Sequence, residues 1–159
     1  MTPAIAQKTA VEAKWSIEKR QEETANAFAR QFLTTMATLG KLGPEIHEEF
    51  SKNLINSKVE YYKQLGVKTP IDLVNAMAEF ESNIFGSKIE IVGDEKKAEL
   101  IYNQCACWNA MQKVGNLNPQ QQERMGKQHE QSIQKIAEAF GFKGELKIEE
   151  PRAIITFSK

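Results

Sequence analysis

Two cysteines one residue apart, Cys105 and Cys107, stand directly before Trp108, and His129 follows in the next amphipathic stretch. Thiolate and imidazole are the side chains that bind transition metals and carry nucleophilic chemistry near neutral pH. A C-x-C at a strand end can turn both sulfurs toward one ion. With His129 it offers three ligands, Cys105, Cys107 and His129, and leaves the fourth position open. Zinc or another transition metal is the ion this donor set suits, and no other cofactor is indicated. The same residues also allow metal-free chemistry. A cysteine at a helix N-terminus feels the positive end of the dipole and unpaired N–H groups, which lower its pKa. Cys105 and His129 are then the catalytic candidates, nucleophile and base of a cysteine-dependent hydrolase acting on a small substrate, with Cys107 as the other thiol. The plain alternative is that both thiols are small core residues. A disulfide between positions i and i+2 would be strained.

Tyr102 and Trp108, with Phe140 and Phe157, are spaced to line a pocket between sheet and helices. The ligand-binding candidates are thus Cys105, Cys107, Trp108, Tyr102 and His129. His47-Glu48-Glu49 is a lesser group and is not an H-E-x-x-H zinc motif. The chain has no P-loop, no G-x-G-x-x-G and no G-x-S-x-G. Those absences set aside P-loop nucleotide hydrolysis, a Rossmann cofactor and an α/β-hydrolase nucleophile elbow.

The elements that must position these residues follow from period and punctuation. Thr2-Pro3 could open a first helix, and residues 11–39 carry Phe28, Phe32, Met36 and Leu39 at helical spacing, stopped by Gly40 and Gly43. A second helix over 44–65 places Ile46, Phe50, Leu54, Tyr61 and Leu65 on one face. Thr69-Pro70 then caps a third that carries Val74, Met77, Phe80 and Ile84 and ends at Gly86. From Lys88 the period becomes two, giving a hairpin with Ala98, Leu100 and Tyr102 on one face. A short helix starts near Trp108 and ends at Gly115-Asn116. Another, over 118–140, turns Met125, His129, Ile133, Ile136 and Phe140 to one side. A second hairpin holds Leu146, Ile148 and Ile154 to Phe157 around Glu150-Pro151. Strands grouped in hairpins predict an α+β fold in which N-terminal helices precede hairpin–helix–helix–hairpin, with a four-stranded antiparallel sheet.

At 159 residues and 41% hydrophobic content the chain fits a single domain, 1–159. Within it, residues 1–69 read as a helical extension or dimerisation region and 70–159 as the α+β ligand-binding core. Tyr61 and Tyr62 suit an isologous homodimer interface through the N-terminal helices. Lys plus Arg and Asp plus Glu are each 21, so formal net charge is zero. That predicts no nucleic-acid partner. The absence of any apolar run of spanning length predicts no membrane partner, and the lack of a signal-peptide pattern predicts a cytoplasmic location. The expected partner is a small molecule or a metal.

One resemblance is carried by Glu90, Ile91, Gly93-Asp94, Tyr102, Cys105, Trp108, Ala110, Gly115 and the strand from Ala153 to Phe157. Over residues 71–157 the chain resembles 4-vinyl-reductase-type domains and is similar to L-2-amino-thiazoline-4-carboxylic acid hydrolase-like proteins. The resemblance implies a small ligand or metal facing Cys105. The chain departs from the pattern with Ala106 where proline is usual and with no later cysteine in 118–140, where His129 would have to substitute.

Overall fold

A computed structural model describes residues 13–159; the start expected around Thr2-Pro3 lies outside them. Five helices and four strands follow in the order α1 Ile17–Leu42, α2 Pro44–Gln64, α3 Pro70–Phe85, β1 Lys88–Gly93, β2 Lys97–Gln104, α4 Ala106–Gly115, α5 Pro119–Ala139, β3 Lys143–Glu149 and β4 Arg152–Ser158. The fold is α+β, as the grouping of strands predicts. Each hairpin pairs internally, and β2 and β4 join antiparallel at the centre, giving the order β1-β2-β4-β3.

Local signals explain most boundaries. Thr69 accepts the Asp72 N–H while Asp72 accepts the Thr69 N–H, a capping box with Pro70 at the first helical position. Gly86 closes α3 at φ +75°, a conformation open to glycine without steric cost. Asn118 and Gln121 form the same reciprocal cap on α5. The first helix differs from expectation. It begins after Ser16, whose hydroxyl accepts the Lys19 N–H, and runs through Gly40 to end at Gly43. A single glycine inside a long helix costs about 1 kcal/mol, too little to break it.

One face of the sheet carries Leu100, Ile155 and Phe157, all without solvent contact. On this face α3 packs against β1 and β2, and α5 against β3. Gly144 of β3 lets α5 approach closely: a Cβ there would stand 2.9 Å from the Ala137 Cβ and 2.9 Å from the Ile133 carbonyl oxygen. The core gathers Leu73, Val74 and Met77 from α3 with Ile133, Ile136 and Ala137 from α5. Ile55, Val59 and Tyr62 of α2 join the same core, and α2 lies against α5. The inward face of α2 is therefore rotated one residue from the expected one. Tyr62 is 8% exposed and Tyr61 43%, and Ile46, Leu54 and Leu65 all face outward.

Packing of α1 also departs from its apolar stripe. Ala25 and Ala29 are buried against Cys107, Ala110 and Phe85, while Phe28 stays partly exposed. Small residues let α1 and α4 come close, so alanines, not phenylalanines, define the contact face. Gln21 of α1 adds a polar tie, donating from Nε2 to the Ser82 and Asn83 carbonyls at 3.1 and 3.2 Å. Those carbonyls belong to the last turn of α3, where Ser82 also accepts the Gly86 N–H.

Candidate functional site

The β2–α4 junction is built around Cys105, which is the N-cap of α4 in extended conformation with no side-chain cap of its own. The missing acceptor is supplied by Ser87. Its Oγ accepts the Ala106 N–H at 3.0 Å and donates to Glu81 Oε2 at 3.3 Å. Ser87 is the buried polar residue of this region. It fastens the end of α3, the start of β1 and the first turn of α4 to one hydroxyl.

Cys107 is buried in the α1–α4 contact, and Cys105, half-buried, touches both core clusters. Tyr102 is buried on the covered face of the sheet and Trp108 is half-buried on α4. Burial pushes the Cys105 thiol up to about 11, although the Trp108 and Cys107 N–H groups at the helix start pull it down. Burial likewise holds Cys107 well above its ordinary value, with Glu81 and Cys105 adding to the effect. The lowered thiol pKa expected from the helix N-terminus is thus overturned, because desolvation of a thiolate outweighs the donors.

His129 stands on α5 four residues before Ile133, as its spacing predicts. It is exposed, yet the protein around it and the nearby Lys58 charge push its pKa down to about 4. Neither thiol acts on His129. Among the described residues no three His, Cys, Asp or Glu side chains are placed to hold a metal ion. Cys105, Cys107 and His129 therefore do not form the metal-ligand set that their types suggested, and His47 with Glu48 and Glu49 forms none either. The reason lies in the elements. Cys107 turns toward α1, whereas His129 looks across to α2.

Lys58, on α2, is the residue His129 does respond to. It follows Ile55 by three positions and precedes Tyr62 by four, so it borders the inward stripe of that helix while remaining exposed itself. Solvent reaches Lys58, but surrounding protein lowers its pKa against the opposing charges of Glu81 and Cys107. Glu81 occupies the matching position on α3, four residues after Met77 and four before Phe85. Burial raises its carboxyl despite the Ser87 hydrogen bond and the Lys58 charge. The Glu81 charge is felt in turn at Tyr62, pushed up to about 12 chiefly by burial, and at Tyr102. No family model matches this chain, and no curated protein matches it. The site thus rests on pairwise electrostatics: the Lys58 charge is felt at Glu81, Cys107 and His129, and the Glu81 charge at Tyr62, Tyr102, Cys105 and Cys107.

Sequence reasoning singled out Cys105, Cys107, Trp108, Tyr102 and His129, passed over Lys58, Glu81 and Ser87, and read Tyr62 as an interface residue. The signal was available in the spacing Ile55-Lys58-Val59-Tyr62 and Met77-Glu81-Phe85, where a charge interrupts an apolar stripe. A separate groove of about 530 Å³ between α1 and α4 is lined by Glu18, Gln21, Lys88, Gln104, Asn109 and Lys113, among others. It includes neither cysteine nor Lys58 nor His129, so the chemistry and the groove do not coincide.

Proposed function

We propose that this protein binds a small molecule at the polar cluster of Lys58, Glu81 and His129, beside Cys105 and Cys107. One observation carries the reading. Lys58 of α2 is the shared neighbour of two ionisable groups on other helices, its charge being felt at Glu81 of α3 and at His129 of α5, beside the apolar core that Ile55, Met77 and Ile133 enter. Apolar residues at those positions would serve stability as well or better. Clustered groups with desolvation-shifted pKa values are a mark of functional sites.

A binding role predicts a separation of stability from recognition. A ligand present at a hundredfold its Kd should stabilise the fold by about 2.7 kcal/mol. The Lys58→Met, Glu81→Gln double variant should lose that gain while its ligand-free stability stays level or rises. Thermal unfolding across a small-molecule library tests this. A double variant that unfolds far more easily than the wild type, with no ligand shifting either protein, would mark the cluster as structural.

Hydrolysis by Cys105 or Cys107 requires a thiolate, and both thiols are held protonated at neutral pH. Ligand binding therefore stands ahead of it. A homodimer through the N-terminal helices has a separate basis. Phe28, Tyr61 and Phe80 are each partly exposed and linked by ring contacts through Phe85. Mass in solution across a hundredfold dilution tests that pairing, and a constant monomer mass would remove it.

A further inference from the structure

We infer that the uncovered face of the sheet is an interface on which a second copy of this chain seats, the two sheets closing into a sandwich. This surface is separate from the ligand-binding cluster and from the aromatic contacts of the N-terminal helices. α3 and α5 pack on the face that carries Leu100, Ile155 and Phe157. Strand residues alternate between faces, so the opposite face is built by their neighbours, with no helix packed over it among the described residues.

The ladder register sets two rows across that face, each spanning all four strands. One runs Glu90, Ile101, Ile154, Lys147, and the next runs Val92, Glu99, Thr156, Glu145. The first row has opposite charges at its ends and β-branched apolar side chains at its centre, so it is complementary to its own reverse. Ile101 and Ile154 are half-buried in the single chain, and Val92 is 54% exposed.

A twofold axis running along the strands, between β2 and β4, presents that reverse. β1 of one copy then lies on β3 of the other, and β2 lies on β4. Glu90 meets Lys147 of the second copy, and Ile101 meets Ile154. In the next row Glu99 meets the Thr156 hydroxyl and Val92 meets the stem of Glu145, so no like charges oppose. Lys147 already pairs with Glu149 along its own strand. Glu90 has no ion pair within 4.0 Å among the described residues, which leaves its charge for a partner. An axis across the strands would instead set Ile101 on Glu99, pressing a carboxylate against apolar carbon. Aligned sheets pack about 10 Å apart, a gap that interdigitated side chains fill. Four strands about 4.8 Å apart and seven residues long give a footprint of roughly 450 Å². That is small for a specific interface, so the dimer is weak and concentration-dependent.

Sedimentation equilibrium of the full chain from about 1 μM to about 1 mM tests this. The average mass is expected to rise from 18.0 kDa toward twice that value. Glu90→Lys and Lys147→Glu, each alone, should keep the wild-type circular dichroism and weaken association about a hundredfold, since each reversal acts at two symmetry-related contacts. An equimolar mixture of the two variants should regain it, because both contacts of the mixed pair again join opposite charges. A constant monomer mass for the wild type would overturn the interface. So would a dimer that neither variant weakens, and its loss in Tyr61→Ser would assign that dimer to the helices. Weakening in both variants with no recovery on mixing would overturn the twofold arrangement.

Discussion

Ser87 Oγ and the Ala106 N–H are joined by a 3.0 Å hydrogen bond that spans 19 residues of sequence. The bond supplies the first turn of α4 with the acceptor that Cys105, as N-cap, does not provide. Because the same hydroxyl donates to Glu81, the start of α4 and the carboxyl facing Lys58 are set together. A residue that looks like a simple loop serine thereby links the backbone of the junction to the Glu81 carboxyl.

Replacing Ser87 with Ala should cost about 1–3 kcal/mol, the penalty for leaving buried polar groups unpaired. Urea unfolding measures it. The Glu81 carboxyl should also titrate higher, since the contact that lowers it is gone. A loss below about 0.5 kcal/mol, the level of an ordinary surface substitution, would show that water takes the place of the hydroxyl.

Thiol alkylation should be slow in the folded state at pH 7 and should accelerate as pH climbs toward about 11 for Cys105, with Cys107 slower still. The unfolded chain should react much faster at pH 7 than the native one. Iodoacetamide labelling followed by peptide mass reads both rates. Fast native labelling at neutral pH would contradict the dominance of burial over the helix N-terminus.

Stability should rise with pH between about 4 and the ordinary histidine value of 6.5, because of His129. In that window the unfolded chain binds a proton that the folded His129 refuses, so the slope of unfolding free energy with pH is positive. The contribution is complete above 6.5 and is lost as pH falls to about 4. Glu81 works with the opposite sign, since its raised carboxyl holds a proton longer in the folded state. The His129→Gln comparison is therefore best made in a Glu81→Gln background. Denaturation at stepped pH should show a flatter profile once His129 is removed.

Gly144→Ala should cost about 1–3 kcal/mol, the usual range for overpacking. The new methyl would press on the Ala137 Cβ and the Ile133 carbonyl, forcing α5 away from β3. His129 is carried on that helix, so ligand affinity should fall along with stability. Calorimetry and unfolding on the same variant check the two together.

Where a signal is local, the chain declares it. Thr69, Pro70 and Asp72 announce the start of α3, and the alternation of Ala98, Leu100 and Tyr102 announces a half-buried strand. Cys105, Cys107 and Tyr102 stood out as candidates because cysteines and strand periodicity are conspicuous. The face of α2 was less legible, since Leu54 competes with Ile55 and Tyr61 with Tyr62, and one residue is a 100° rotation on a helix. Only contact with α5 decides between them. The α1 face was hidden for a different reason: close approach selects alanine, and Ala25 and Ala29 lie beside larger apolar residues that look more like core. Lys58 and Glu81 were passed over because a charge on a helix is by default a solvated one.

The sheet order has a kinetic side. Each outer strand pairs with its hairpin neighbour close in sequence, whereas the central β2–β4 ladder joins Leu100 to Ile155 across both α4 and α5. Long-range pairing must wait for the chain between to be gathered, and loop-closure entropy makes such steps slow. Tyr102 and Cys105 arrive with the first hairpin, while His129 arrives with α5. The elements that carry Tyr102 and His129 thus come together late, when the two hairpins meet. Ile155→Val should accordingly slow folding by most of its effect on stability, and a φ-value near zero there would place that meeting after the barrier.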